Sequence, residues 1–337
     1  MAGLARWIVT PALIIFIAVV ATARLAAAGS AGDGGPIIEL SPQQSGIKGI
    51  VGHWWYLDAN LSRFVDAYAD LGVTTVRLTT DWRQIEPEEG RRDFARTDRL
   101  FGTLLGRGIE PVPVFATIPA WASLNPDDCR ADELACQPDP AKLEAFAATA
   151  AQIVGRYPRI TRWEFWNEPE MWPGMRDPAV HQVWYLAFYQ AAKRANPSAR
   201  IALGTLTGWE FVNRLDPNLP FDAVTMHSFE DERGDPIYTS RLEQLHDELA
   251  ARGRGVPLWL TEYGWDSRWL NDRGRAETIR WVFDWLRAHP FVELAHYHML
   301  HDTADPQTCC FGLLGPPPDF EPKRLAYDAF RAYVVRR

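Results

Sequence analysis

The chain has 337 residues, 47% hydrophobic and 23% charged, which excludes a disordered protein and suits one large domain or two ordinary ones. Lys and Arg number 35 against 43 Asp and Glu, a formal net charge of −8, which argues against a nucleic-acid protein with its usual basic face. The 15 Trp exceed what a core requires, because Trp is large and awkward to bury fully. Trp residues on loops would instead form a surface for stacking against flat ligands.

In chain order, the first segment reads as a targeting signal. A single positive charge precedes an apolar run from Trp7 to Ala23, and Ala26-Ala27-Ala28 supplies the small residues that a signal peptidase prefers. Residues 1–28 are thus a signal peptide, or an uncleaved membrane anchor through residues 7–23. Either places the body of the protein outside the cytosol, secreted or periplasmic. Residues 29–47 open on a Gly/Ser/Asp stretch and read as a flexible linker, leaving 48–337 as the folded domain.

Eight short apolar runs follow: Gly49–Trp54, Thr75–Thr79, Glu110–Ala116, Arg162–Trp166, Arg200–Gly204, Ala223–His227, Leu258–Thr261 and Glu293–His298. They have the continuous apolar character of parallel strands covered on both faces. Amphipathic stripes lie between them. These are Leu61/Phe64/Val65/Tyr68/Leu71, Leu143/Phe146/Ala150/Ile153/Val154, Val183/Leu186/Ala187/Ala191 and Ile279/Val282/Phe283/Leu286. Eight strand–helix units predict an α/β fold, a single (β/α)₈ TIM barrel, rather than an open sheet. No Gly-x-Gly-x-x-Gly turn follows the first strand, so nothing supports a dinucleotide site and no cofactor is expected.

The four Cys suit an oxidising compartment. Cys129 and Cys136 share one polar loop and are expected to pair. The adjacent Cys309 and Cys310 either bond to each other or each pair elsewhere. No second Cys-x-x-Cys or nearby His pair completes a zinc site, and no metal is expected. The residues His296, His298 and His301 near the last strand are the one His cluster in which a metal would be geometrically possible.

In a TIM barrel the functional groups sit at the C-terminal ends of the strands. Two Glu occupy that position, Glu168 after strand four and Glu262 after strand seven, each with aromatics close by. Placing carboxylates there is costly unless they are paired or protonated, which suggests that they are used.

Asn167-Glu168-Pro169 together with Thr261-Glu262-Tyr263-Gly264 resembles the clan A glycoside hydrolases. The longer stretch Trp163 to Glu170 is most similar to the β-xylosidase and α-L-iduronidase family (family thirty-nine) and its exopolysaccharide-hydrolase relatives. Similarity extends to Val76-Arg77-Leu78 with Trp82 to Pro87, to Pro119-Ala120-Trp121-Ala122, and to the closing segment from Pro322 to Phe330.

The resemblance implies a retaining hydrolase of a polysaccharide or oligosaccharide that acts by double displacement. Glu168 would be the acid/base and Glu262 the nucleophile. Arg77 would keep Glu262 ionised, and Asn167 would bond the sugar hydroxyl next to the anomeric carbon. His227, at the end of strand six, would contact Glu262 or the sugar, and His53 at the end of strand one matches a His common among the relatives.

Two positions depart from the pattern. Phe229 replaces a Tyr of many relatives. Strand eight, His296 to Asp302, lacks the usual Trp floor of the cleavage subsite, a role left to Tyr297 or His298. These departures motivate an alternative reading, a catalytically silent carbohydrate-binding barrel serving surface-polysaccharide export or assembly.

Nine Trp fall at or soon after predicted strand ends: Trp54, Trp55, Trp82, Trp121, Trp166, Trp172, Trp209, Trp265 and Trp269. They are the expected walls of a saccharide cleft, with Trp121 and Trp265 as substrate contacts. Trp163, Trp184, Trp259, Trp281 and Trp285 are expected to pack. At least one of the two Cys loops should line the cleft. A monomer with a glycan substrate and no nucleic-acid partner is expected.

Overall fold

The computed structural model describes residues 37–52, 54–229, 237, 239–304, 309–322 and 324–335. Residues 1–36, which include the expected signal segment, His53 and the side chains of Trp54 and Trp55 lie outside them. Eight parallel strands close into a barrel in sequence order. They are β1 (Gly49–Val51), β2 (Thr75–Asp81), β3 (Glu110–Ala116), β4 (Arg162–Phe165), β5 (Arg200–Leu203), β6 (Ala223–Phe229), β7 (Leu258–Gly264) and β8 (Val292–Tyr297). Closure is made by β1 against β8, with Gly49 opposite His296 and Ile50 opposite Tyr297. Gly49 is required there, since a Cβ would come within 2.5 Å of the His296 ring. This is a single (β/α)₈ TIM barrel, as the alternation of apolar and amphipathic runs predicts.

Strand ends differ from expectation by a few residues. The first helix already begins at Trp54, so β1 stops at Val51. In contrast β2, β6 and β7 run on to Asp81, Phe229 and Gly264. These extensions pass through polar or charged residues, Thr80 and Asp81 on β2, Ser228 on β6 and Glu262 on β7, which the apolar pattern alone does not include. Inside the barrel, Val112, Ala202, Ala223, Trp259 and Leu294 form a separate buried apolar cluster.

The linker expectation for 29–47 is corrected from residue 38 onward. Ile38–Leu40 forms a strand that pairs in parallel with the C-terminal strand Tyr333–Val335. Pro42–Ile47 then forms a 3₁₀ turn started by a capping box between Ser41 and Gln44. Leu40 and Ile47 are buried, and Gly46 lies so close to the Glu293 carbonyl that a Cβ would approach it to 2.2 Å. The domain therefore includes these residues. Among the described residues, no helix is long and apolar enough to cross a membrane.

Of the expected Val183/Leu186/Ala187/Ala191 stripe on the helix Pro178–Ala195, only Ala191 is fully buried, while Leu186 and Ala187 pack at the edge of the core. The core side of this helix is His181, Trp184, Tyr185, Phe188, Ala191 and Ala192, while Val183 is exposed. His181 is fully buried against Phe165 and Phe211, with centroids 5.2 and 5.0 Å away, and neither ring nitrogen has a partner among the described residues. Burial lowers its pKa to about 3. The unfolded chain therefore binds a proton near pH 6.5 that the folded chain refuses until about pH 3. Stability falls as pH drops through that window, by about 1.4 kcal/mol per unit. His181→Phe should flatten the acid limb of Tm against pH between 6 and 4. An unchanged slope in thermal unfolding would refute this assignment.

Candidate active site

The site is built on Arg77, which points into the barrel mouth from β2 and is buried. Its guanidinium makes a two-point contact with Glu164, Nε to Oε2 at 2.7 Å and Nη2 to Oε1 at 3.0 Å. Nη1 donates to Glu262 Oε1 at 2.7 Å, and Nη2 donates to Asn167 Oδ1 at 2.8 Å. One rigid fork thus fixes groups from β4, the segment after it, and β7. Burial disfavours the charge on Arg77, but Glu164 and Glu262 overcome that and raise its pKa.

Backbone geometry carries Glu168 to the mouth. After β4 the chain turns through Trp166 and Glu168, both with positive φ, and Pro169–Met171 forms a 3₁₀ turn. Gly204 at the end of β5 makes room, because a Cβ there would lie 2.2–2.3 Å from the carbonyls of Phe165 and Trp166. Glu170 then ties this turn to the loop after β5, accepting from the backbone N–H groups of Leu206 and Thr207 and from the Thr207 hydroxyl at 3.0–3.1 Å.

On β6 the register against β7 shifts between Met226 and His227, which sets His227 opposite Glu262. His227 Nδ1 lies 2.7 Å from Glu168 Oε1 and 3.8 Å from Glu262 Oε2. Burial would depress its pKa, but the charge of Glu262 and the bond to Glu168 more than offset this, and the net shift is upward. The mouth thus holds three carboxylates against one guanidinium, and His227 sits between two of them. Donor atoms of Glu168, His227 and Glu262 all lie within 4.8 Å of one another. A cation would also fit that spacing, but the Arg77 guanidinium already compensates Glu262.

The fourth side of Glu262 is aromatic. His298, just past β8, places Nδ1 3.3 Å from Glu262 Oε2. Phe229 and Phe311 meet its ring edge-on, with centroids 5.6 and 5.5 Å away. Phe311 follows the Cys309–Cys310 disulfide, so this loop borders the site. The second disulfide joins Cys129 to Cys136.

The structure therefore brings together Arg77, Asn167, Glu168, His227 and Glu262. It does not bring in Tyr297, which is fully buried against Tyr263, Trp265 and Phe330. Trp265 is 1% exposed in the same cluster, so it is a packing residue and not a substrate wall. Trp82, Trp166 and Trp172 are likewise buried. Trp121 is partly buried, donates its indole N–H to the Glu86 carbonyl and packs edge-on against Trp82. Trp269 is 84% exposed, and Trp281, expected to pack, is 44% exposed. Trp82 packs against the helix residues Phe146 and Trp184, whereas Trp166 and Trp172 pack on each other.

The three His after β8 separate. His296 bonds Thr75 inside the barrel, and His301 stacks on Phe64. Glu164 was not singled out by sequence reasoning, although it alternates with Trp163 and Phe165 on β4 and so lies on the strand's other face.

By sequence, no protein-family model and no curated protein matches the chain. By structure, it is similar to a monomeric β-xylosidase from Caulobacter crescentus CB15 (TM-score 0.67, 18% identity, 88% of this chain and 71% of that one). It is also similar to a family 39 glycoside hydrolase from Bacteroides cellulosilyticus WH2 (0.67, 19%, 88% and 65%). An exo-β-1,4-mannosidase from Opitutaceae bacterium strain TAV5 aligns with TM-score 0.64 and 20% identity over 84% of this chain and 59% of that one. At these identities the likeness establishes the shared barrel fold.

Proposed function

We propose that the chain is a retaining glycoside hydrolase of the clan A type, acting on a polysaccharide or oligosaccharide. The observation that carries this is the Glu168/Glu262 pair, whose oxygens approach within 4.8 Å across the mouth of the barrel. Carboxyls about 5–5.5 Å apart suit double displacement, whereas inversion needs about 6.5–9.5 Å to admit a water. The structural neighbours that are glycosidases support the same reading.

The chemistry follows from the environments. Glu262, held by Arg77, is the charged group and attacks the anomeric carbon. The glycosidic C–O bond breaks, its electron pair goes to the leaving oxygen, and that oxygen takes the proton from Glu168. Water then gives a proton to Glu168, attacks the same carbon and releases Glu262 as the carboxylate. His227 shares its hydrogen bond with Glu168 and buffers this proton. Asn167 commits its carbonyl oxygen to Arg77, which leaves its amide N–H₂ for a sugar hydroxyl. The reading includes export, supported by the apolar run of residues 7–23 and by two disulfides.

The test is a panel of 4-nitrophenyl glycosides and polysaccharides, followed by the 2-deoxy-2-fluoro analogue of the best substrate. A single ester on the Glu262 peptide, seen by mass spectrometry, is expected. Binding of glycans with neither turnover nor label would favour a silent carbohydrate-binding barrel. Activity that disappears with a chelator would replace the two-carboxylate reading with a metal-dependent one.

A further inference from the structure

The two oxygens of Glu262 are not equivalent. Oε1 accepts from Arg77 Nη1 at 2.7 Å, while Oε2 faces His298 Nδ1 at 3.3 Å. We propose that His298 is a positioning residue for the nucleophile, donating Nδ1–H to Glu262 Oε2 and so fixing the rotation of the carboxylate for attack. This rests on the hydrolase reading above. With Oε1 committed to Arg77, Oε2 is the oxygen that forms the ester bond, and Oε1 becomes its carbonyl oxygen. In this structure the 3.3 Å approach of Nδ1 to Oε2 falls short of hydrogen-bond geometry; the bond closes when substrate binds, as catalytic hydrogen bonds that are long or misaligned without substrate commonly do.

The ring is held for this task. Edge-on contacts from Phe229 and Phe311 limit its rotation. Its own backbone N–H donates to the Tyr263 carbonyl at 2.7 Å, one residue beyond the nucleophile. Its carbonyl sits where a Cβ on Gly264 would come to 2.2 Å, so only glycine lets the two strands approach this closely. From the other side, Ser267 N–H donates to the Cys310 carbonyl at 2.8 Å, which anchors the disulfide loop that carries Phe311. The backbones that carry Glu262 and His298 are therefore held against one another.

A donor here should orient the nucleophile without cancelling its charge. Burial lowers the pKa of His298 despite the pull of Glu262, which keeps the imidazole neutral at ordinary pH. His227 is the opposite case, with its pKa raised. The two imidazoles thus divide the work: one keeps a proton beside Glu168, the other aims Glu262.

Covalent labelling by the fluoro-glycoside reads the first chemical step alone. His298→Leu fills much of the space without a donor and should slow labelling roughly ten- to hundredfold, with little change in sugar affinity. His298→Asn places an amide N–H near the Nδ1 position and should recover most of that loss. If the ring served only to fill space between Phe229 and Phe311, Leu would be tolerated better than Asn, and that order overturns the proposal.

Should the wild type take up no label, the hydrolase reading fails by itself, and nitrogen-15 NMR of the His298 ring judges the contact. An Nδ1–H tautomer whose signal moves in Glu262→Gln supports the positioning role. An Nε2–H tautomer, or a signal that does not move, overturns it.

Discussion

Glu262→Ala should lose turnover below detection, and azide should restore part of it. The variant removes the group that attacks the anomeric carbon but leaves the fold supported, because Arg77 keeps its two-point contact with Glu164. The vacated space lies between Arg77 and His298, one a cation and the other a donor, and suits a small anion. Azide in that space would bond the anomeric carbon while the leaving oxygen takes the Glu168 proton. The product is a glycosyl azide of configuration opposite to that of the substrate. Loss of Glu168 should be milder, about 10²- to 10⁴-fold. It should shrink further for aryl leaving groups acidic enough to depart unprotonated. Rates on 4-nitrophenyl and alkyl glycosides, with products identified by NMR, check both expectations. Near wild-type turnover by Glu262→Ala would refute the nucleophile assignment.

Much of this frame was legible because parallel strands buried on both faces are written as unbroken apolar runs. The same rule explains where reading stopped short. It ended strand seven at Thr261, since Glu262 interrupts the apolar pattern, yet β7 continues to Gly264 through the charged residue it presents.

The stripe on Pro178–Ala195 is legible only at Ala191, because the rest of the buried face is made mostly of rings, His181, Trp184, Tyr185 and Phe188, rather than aliphatics. Residues 38–47 looked like linker because only Ile38, Leu40 and Ile47 are apolar. Their pairing partner, Tyr333–Val335, lies at the far end of the chain.

Within the site, Glu168, Asn167 and Glu262 were legible as strand-end groups in a recognisable pattern. Glu164 was not, because a strand-interior acid takes its meaning from a partner, Arg77, 87 residues away. The Trp residues failed for a related reason. Nearness to a strand end in sequence says nothing about whether a ring turns toward the cleft or, as Trp82, Trp166 and Trp265 do, into the packing around it.

Arg77→Met is the change expected to damage both the fold and the chemistry. Arg77 and Glu164 are each almost wholly buried, at 4% and 1% side-chain exposure. Removing the guanidinium leaves Glu164 as an uncompensated buried charge, which typically costs about 3–5 kcal/mol. Arg77→Lys should not rescue it, since a single ammonium cannot serve Glu164, Glu262 and Asn167 in the geometry of a planar fork.

The informative variant is the pair Arg77→Met with Glu164→Met. Replacing both members of a buried ion pair by apolar residues is often neutral for stability, so its urea midpoint should return toward wild type. Activity should not return with it. Glu262 would lack the cation that holds it at 2.7 Å, and its protonated form would be favoured. The acid side of the activity profile should therefore move to higher pH, and Asn167 would lose the partner that orients its amide. If the double variant recovered activity along with stability, Arg77 would be a structural ion-pair partner only. The assembly of Glu262 and Asn167 around it would then need another explanation.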